Sequence, residues 1–286
     1  MLGLGCGVAT VLCWAVGLVA AKHGIDAGLG PAEIAFHRNI WVGLCILPLL
    51  AVRGRLGDLD GVGWRRGAAL MLFGGTPFAM LSYVGFMLVP LGHGGVIQPS
   101  CAALGGIALS ALVLREPTPA TRILGALAIV TGLVLLGWEA LATIGGQGIL
   151  GDFTFAGAGI SFAIFGLMLR LWRISPMRAV MLVSVVSIAY VPVHWAVFGF
   201  DRMIAAGLHE NLFQIVVQGV FNGVGSIYLF TRTVVLLGAS RAALFPALVP
   251  AVTLLIGFLA LGEVPSVVQL AGLVVVAIGF RFAVKA

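Results

Sequence analysis

The chain has 286 residues, 61% of them hydrophobic and only 9% charged, with a mean hydropathy of +1.16. A soluble domain is about one quarter charged, so the composition excludes a water-soluble fold and defines a polytopic membrane protein. The formal net charge of +6 would suit a polyanionic partner, but its placement along the chain argues against nucleic acid.

Crossing a hydrocarbon core of about 30 Å takes about 20 apolar residues in a helix. Ten runs qualify: 2–22, 32–52, 67–89, 92–114, 118–138, 149–171, 177–199, 211–235, 240–262 and 265–284. They are too long for barrel strands, and lipid offers unpaired backbone groups no partner, so helices are the expected spanning form. The first run has no basic flank and no clear cleavage site, and reads as a retained span rather than a signal peptide. If the spans alternate, twelve basic residues share one side: Arg53, Arg55, Arg65, Arg66, Arg115, Arg122, Arg170, Arg173, Arg178, Arg241, Arg281 and Lys285. The other side holds only Lys22 and Arg202, while Arg38 and Arg232 fall within spans. The positive-inside rule then puts both termini in the cytoplasm. These residues report topology and contact with anionic membrane lipid, not a polynucleotide footprint. Cys6, Cys13, Cys45 and Cys101 lie inside spans with no CxxC pattern. They fit small buried apolar residues, and indicate neither a disulfide framework nor a zinc site.

The two halves repeat the same punctuation 147 residues apart: Pro99 and Pro246, Glu116 and Glu263, Gly125 and Gly272, Gly132 and Gly279. Each half holds five spans. An odd number inverts the second copy, which gives an approximate two-fold axis in the membrane plane. The expected fold is all-α, ten transmembrane helices as two inverted five-helix repeats, residues 1–145 and 148–286, joined by the glycine-rich stretch 143–151. Glu116 and Glu263 resemble catalytic carboxylates at first sight. Each lies between two spans with a proline just after it, where an acid favours a helix N-terminus, so capping is the expected role. Pro99, Pro246 and Pro250 fall inside spans 4 and 9. Each removes a helical hydrogen bond, as a static kink or as a hinge.

Polar residues inside spans point to function by default. In span 8, Gln218, Asn222, Gly225, Ser226 and Arg232 share one helical face, as a cavity wall or as interhelical glue. Thr76, Met80, Tyr83 and Met87 form a stripe on span 3. Ser161, Phe165, Met168 and Trp172 form one on span 6, and Thr10, Trp14 and Gly17 one on span 1. Plain packing is the common meaning of such stripes; a shared cavity would suit a flat, amphipathic solute. Gln98 is the polar exception among the small residues of span 4. Arg38, between His37 and Asn39, has no counterpart in the second half, and interfacial or structural use is expected. His93 and His194, near outer span ends, are proton-relay candidates, and Asp152, which opens span 6, is open as a salt-bridge partner, a helix cap or a proton-coupling group. The chain has no GxxxxGK[ST] loop, no HExxH and no GxSxG.

The ten spans, the five-plus-five duplication and the segments Pro99…Leu114-Arg115-Glu116-Pro117 and Pro246…Leu261-Gly262-Glu263-Val264-Pro265 resemble the drug/metabolite transporter superfamily, EamA type. The glycine pairs and Arg38 after Pro31 add to the match, which covers the whole chain. The resemblance implies an inner-membrane carrier of the bacterial type with a central cavity, usually an exporter of metabolites or amino acids. By general look the chain also resembles, more weakly, the aromatic amino acid exporters. The expectation is therefore a small-molecule transporter without a cofactor, working by alternating access. Trp14, Met80, Tyr83 and Phe165 would supply apolar or stacking contacts. Gln98, Gln218, Asn222 and Ser226 would supply hydrogen bonds, and Pro99, Pro246 and Pro250 the hinges. A multidrug or organic-cation exporter would need a membrane acid, for which Asp152 is the near candidate. A membrane enzyme would need a clustered catalytic set, and a non-transporting scaffold would leave the inverted repeat without a purpose.

Overall fold

The computed structural model describes residues 1–89, 91–138, 148–261 and 266–285. Glu263 with Val264 and Pro265, and residues 143–147 of the predicted joint, lie outside the described residues. Among the described residues the chain is helical, without strands. Among the described residues nine helices are long and apolar enough to cross a membrane, and Ala120–Leu136 is a tenth, shorter one. Spans 1 to 5 are Leu2–Asp26, Pro31–Val52, Trp64–Leu88, Leu91–Val113 and Ala120–Leu136. Spans 6 to 8 are Gly148–Leu171, Pro176–Val197 and Asp201–Leu237. Span 9 runs from Ala239 to Leu261 and span 10 is Val267–Lys285.

Local chemistry sets the helix ends and breaks. Pro31 opens span 2 with its fixed φ, and Glu33 Oε2 accepts the Gly30 N–H at 2.7 Å. Span 3 breaks at Gly75, between Trp64–Gly74 and Thr76–Leu88. Span 9 starts as Ala239–Ala242, tightens into a 3-10 turn at Phe245–Leu248 around Pro246, and resumes at Val249. Span 8 is longer than its apolar count suggests, beginning at Asp201 rather than 211. The added turns carry Arg202, His209 and Glu210, which hydropathy rejects. They hold because polar partners compensate: His23 Nε2 lies 3.1 Å from Glu210 Oε2. Gly207 breaks this stretch at φ +80°, a conformation favouring glycine. Asn211 Nδ2 bridges the break by donating to Met203 O at 2.7 Å and Gly207 O at 2.6 Å.

Glu116 does not cap its own helix. The N-cap of span 5 is Pro119, without a side-chain bond. Glu116 Oε1 instead lies 3.7 Å from Arg170 Nε, and its carboxylate sits beside Gly238, where span 9 begins. Arg115, just before Glu116, has a left-handed backbone (φ +53°) in the turn between spans 4 and 5. The acid therefore meets a helix start of the opposite repeat.

The two halves interlock rather than sit side by side. Span 1 packs on spans 8 and 9, and span 6 packs on spans 3 and 4; span 2 packs on 7 and 8, and span 7 on 2 and 3. Exchanging each span with the one five places away maps this set onto itself. Spans 3, 4 and 6 thus form one trio and spans 8, 9 and 1 its mate. The pairs 2–7 and 5–10 lie on the two-fold axis. The 5–10 seam carries the repeated glycines. A Cβ built on Gly125 would lie 2.7 Å from Gly279 O, and one on Gly279 the same from Gly125 O. Gly132 and Gly272 repeat the exchange at 2.8 and 2.7 Å. Only hydrogens fit there, which lets the backbones touch.

Candidate functional site

Span 8 carries a polar series spaced by four: Glu210, Gln214, Gln218, Asn222 and Ser226. All five are buried. Its middle, Ile215–Gly225, is wound as a π-helix, a rare form that is frequent at functional sites. The series bonds to itself and to span 1. Gln214 Nε2 donates to Ala20 O at 2.7 Å and to Glu210 Oε1 at 2.8 Å. Gln218 Nε2 donates to Gly17 O at 2.7 Å, Asn222 Nδ2 to Gln218 Oε1 at 3.0 Å, and Ser226 Oγ to Asn222 O. Tyr83 Oη adds a longer donation to Gln218 Oε1 at 3.4 Å. Gly17 and Gly24 bring span 1 close enough; a side chain at either would strike Asn222 or Gln214.

Span 2 crosses span 8 at two glycines. His37 O faces Gly219, and Arg38 O packs against Gly223. That contact holds Arg38 at depth, 7% exposed, with its guanidinium 5.7 Å from the Phe78 ring centre. Of the two uses expected for Arg38, interfacial or structural, burial at this depth removes the interfacial one. Arg38 lines a cavity of about 380 Å³. Among the described residues its Nε has no hydrogen-bond partner and no acid lines the cavity with it. Asn222 lines the same cavity, and its Oδ1 is also buried without a partner among the described residues.

The rest of the lining comes from both trios: Trp14, Tyr83, Phe86 and Phe162 as aromatic walls, Gln98 as a polar one, and Pro99, Pro246 and Pro250 at the helix distortions. Phe86, Gly94, Gly95, Gly137 and Leu254 also border it. They lie in the span halves remote from the two termini. The cavity therefore runs from mid-depth toward the end opposite the termini. Its floor is a cluster of rings. Trp14 and Phe162 centroids are 5.2 Å apart, Phe162 and Phe230 4.4 Å, and Phe78 and Phe162 5.6 Å. Below the floor, contacts between repeats close the terminal end. Asp60 Oδ2 lies 3.1 Å from Arg178 Nε, Glu116 pairs with Arg170, and Arg122 Nη1 donates to Ser240 Oγ at 3.4 Å.

Of the residues anticipated for the site, Trp14, Tyr83, Gln98, Asn222 and the three prolines border the cavity. Phe165 lies behind the floor, 1% exposed, stacked on Phe230. Met80 packs away from the cavity, its Sδ 3.8 Å from Tyr190 Oη. Gln218 and Ser226 stand behind Asn222 as bonded members of the series. Arg232 bonds Tyr228 Oη at 3.2 Å near the terminal end. His93 Nδ1 lies 2.8 Å from Asp152 Oδ1, joining spans 4 and 6. His194 is packed among Phe36, Tyr190 and Phe200. Among the described residues no group of three His, Cys, Asp or Glu could hold a metal. Sequence reasoning gave too little weight to Arg38, Phe78 and Phe162. For Arg38 the signal was its position two turns inside Pro31, beyond the reach of the span end.

Ten apolar helices in two interlocked inverted halves, enclosing a mid-depth cavity, define a two-repeat membrane transporter. The profile of the EamA-like transporter family matches residues 1–138 and again 149–284, and the chain belongs to that family, within the drug/metabolite transporter superfamily. No curated protein matches the sequence. One solved crystal structure has a TM-score of 0.68 at 18% sequence identity, covering 99% of this chain and 97% of that one. That likeness concerns the fold alone.

Proposed function

We propose that the protein exports amino acids, aromatic ones best, across a bacterial-type inner membrane with both termini in the cytoplasm. The observation that carries this reading is Arg38, a buried guanidinium facing a cavity walled by aromatic rings and free of acids among the described residues. Such a cation offers a carboxylate paired, charge-assisted hydrogen bonds, while Trp14, Tyr83, Phe86 and Phe162 accept a flat apolar body. The same positive charge opposes an organic-cation substrate. With the termini inside, the described state opens outward. Its inner side is closed by the ring cluster and the pairs Asp60–Arg178 and Glu116–Arg170. Alternating access would tilt the trio of spans 3, 4 and 6 against that of 8, 9 and 1. Pro99, Pro246 and Pro250 serve as hinges at the cavity wall. Export is the direction the family resemblance favours.

Purified protein in liposomes loaded with unlabelled amino acid tests this by counterflow of radiolabelled phenylalanine, tryptophan, leucine and glutamate. Uptake should be fastest for the aromatic pair and should fall at least tenfold in Arg38→Gln. Flux of some other solute with none for any amino acid would overturn the reading.

A further inference from the structure

The hydrogen-bond chain behind the cavity fixes which end of the Asn222 amide the substrate meets. Amide oxygen and nitrogen are normally assigned from their network, and here the network leaves one solution. The Gly17 carbonyl can only accept, so Gln218 must present Nε2 to it at 2.7 Å. Gln218 Oε1 then faces Asn222 and accepts Asn222 Nδ2 at 3.0 Å, with Tyr83 Oη donating to the same oxygen. Asn222 Nδ2 is thereby used. What remains without a partner among the described residues is Oδ1, a buried acceptor, on a side chain 3% exposed whose residue borders the cavity. A buried acceptor without a partner is costly, and a ligand donor would relieve it. Across the same cavity the unpaired group is of the opposite kind: Arg38 offers only donors. The two are brought together because Arg38 O packs on Gly223, the residue after Asn222.

We infer that Arg38 and Asn222 form a two-point clamp for a zwitterionic head group, the carboxylate on Arg38 and the ammonium on Asn222 Oδ1, with Gln218 as the positioning residue. This rests on the amino-acid reading above and deepens it. A carboxylate without the amine fills one point only. An amine without the carboxylate meets an unpaired guanidinium. Gln218 touches no ligand; it holds the Asn222 amide in the orientation that accepts. Its replacement by leucine lets that amide turn and present Nδ2, which repels an ammonium.

The test measures affinities of three compounds sharing one ring, phenylalanine, 3-phenylpropionate and phenethylamine, by calorimetry on the full-length protein in nanodiscs. Phenylalanine should bind at least about tenfold tighter than either of the others, the size of one charge-assisted hydrogen bond. Asn222→Leu and Gln218→Leu should each bring phenylalanine and 3-phenylpropionate within about threefold of each other, the scale of an ordinary net hydrogen bond or less. Arg38→Gln should do the same for phenylalanine and phenethylamine. The wild-type ratios alone decide the clamp if a variant fails to fold. Equal affinity of wild-type protein for phenylalanine and 3-phenylpropionate overturns the clamp and leaves the carboxylate reading standing. An unchanged preference of Gln218→Leu for phenylalanine over 3-phenylpropionate, whatever the change in its overall affinity, overturns the positioning role. No binding of any of the three removes the amino-acid reading together with the clamp.

Discussion

The glycine seam between spans 5 and 10 makes a quantitative prediction. In Gly132→Ala the new methyl would lie 2.8 Å from Gly272 O and 2.7 Å from Val276 N. Both are backbone atoms, so no rotamer change relieves the contact. An ordinary contact begins near 3.4 Å, and the helices must separate by about 0.6 Å along a seam that the other three glycines keep closed. Overpacking of this kind costs about 1–3 kcal/mol. At about 2–4 °C per kcal/mol for a chain of this length, the melting temperature should fall by about 2–12 °C. Gly279→Ala meets Gly125 O at 2.7 Å and Ile129 N at 2.8 Å. The two-fold relation therefore demands a cost of the same size. Gly5→Ala is the control: nothing lies within 4 Å of its Cβ, and the gain in helix propensity should leave stability unchanged or raised by up to about 1 kcal/mol. The assay is thermal unfolding of the purified protein in detergent, followed by the loss of monodisperse protein on size exclusion. Melting of Gly132→Ala and Gly279→Ala within 1 °C of wild type would refute the close backbone seam.

Other contacts predict separable effects. Phe230→Ala removes a ring 1% exposed from beneath the cavity floor. It should cost about 3–5 kcal/mol, and red-shift the emission of Trp14, whose ring it contacts; an unchanged melting temperature would contradict the packed floor. Glu210→Gln keeps an acceptor for Gln214 Nε2 and should melt near wild type. Glu210→Leu leaves that donor with one partner fewer and should lose about 1–3 kcal/mol. Equal stability of the two variants would remove Glu210 from the polar series. Asp60→Asn weakens the pair with Arg178, whose side chain is half exposed, worth at most about 1 kcal/mol. Transport in liposomes should therefore change less than about fivefold, and a loss above tenfold would assign the pair a larger part in closing the inner side.

The frame was legible because it obeys constraints that leave a mark on single residues. Apolar length marks a span, and the parity of five per half marks the inversion. Gly125, Gly132, Gly272 and Gly279 mark the seam, because only glycine lets two backbones touch. The site was legible only in part. Trp14, Tyr83, Gln98 and Asn222 could be named, since aromatic and amide groups within spans are conspicuous. Whether a given stripe faces the cavity or its own neighbours depends on helix rotation, which a degenerate apolar pattern does not specify. Phe165 and Phe162 are three residues apart on span 6, yet one backs the floor and the other forms it. Glu210 escaped notice because hydropathy ended span 8 short of it, and its partner His23 lies far away in sequence.

The repeat also explains why the cavity has a polar wall and an apolar one. Counted back by 147 residues, Asn222 falls on Gly75, where span 3 breaks. Both trios are thus distorted at matching depth, one as a glycine break and the other as a π segment. The backbone keeps the symmetry and the side chains abandon it. Tyr83 is matched by Phe230, Trp14 by Ser161, and Arg38 by Val185. Under the proposed alternating access, a symmetric frame would let the two trios exchange roles between two openings. A symmetric lining would offer a substrate two identical walls and no preferred orientation. On the proposed function, placing the cation and the amide acceptor where spans 2 and 8 cross, and rings on spans 1, 3 and 6, would give the solute a head end and a tail end. On that proposal, specificity belongs to the residues that do not repeat, and of the repeated ones Pro99 and Pro246 would take part in motion while the glycines hold the 5–10 seam closed.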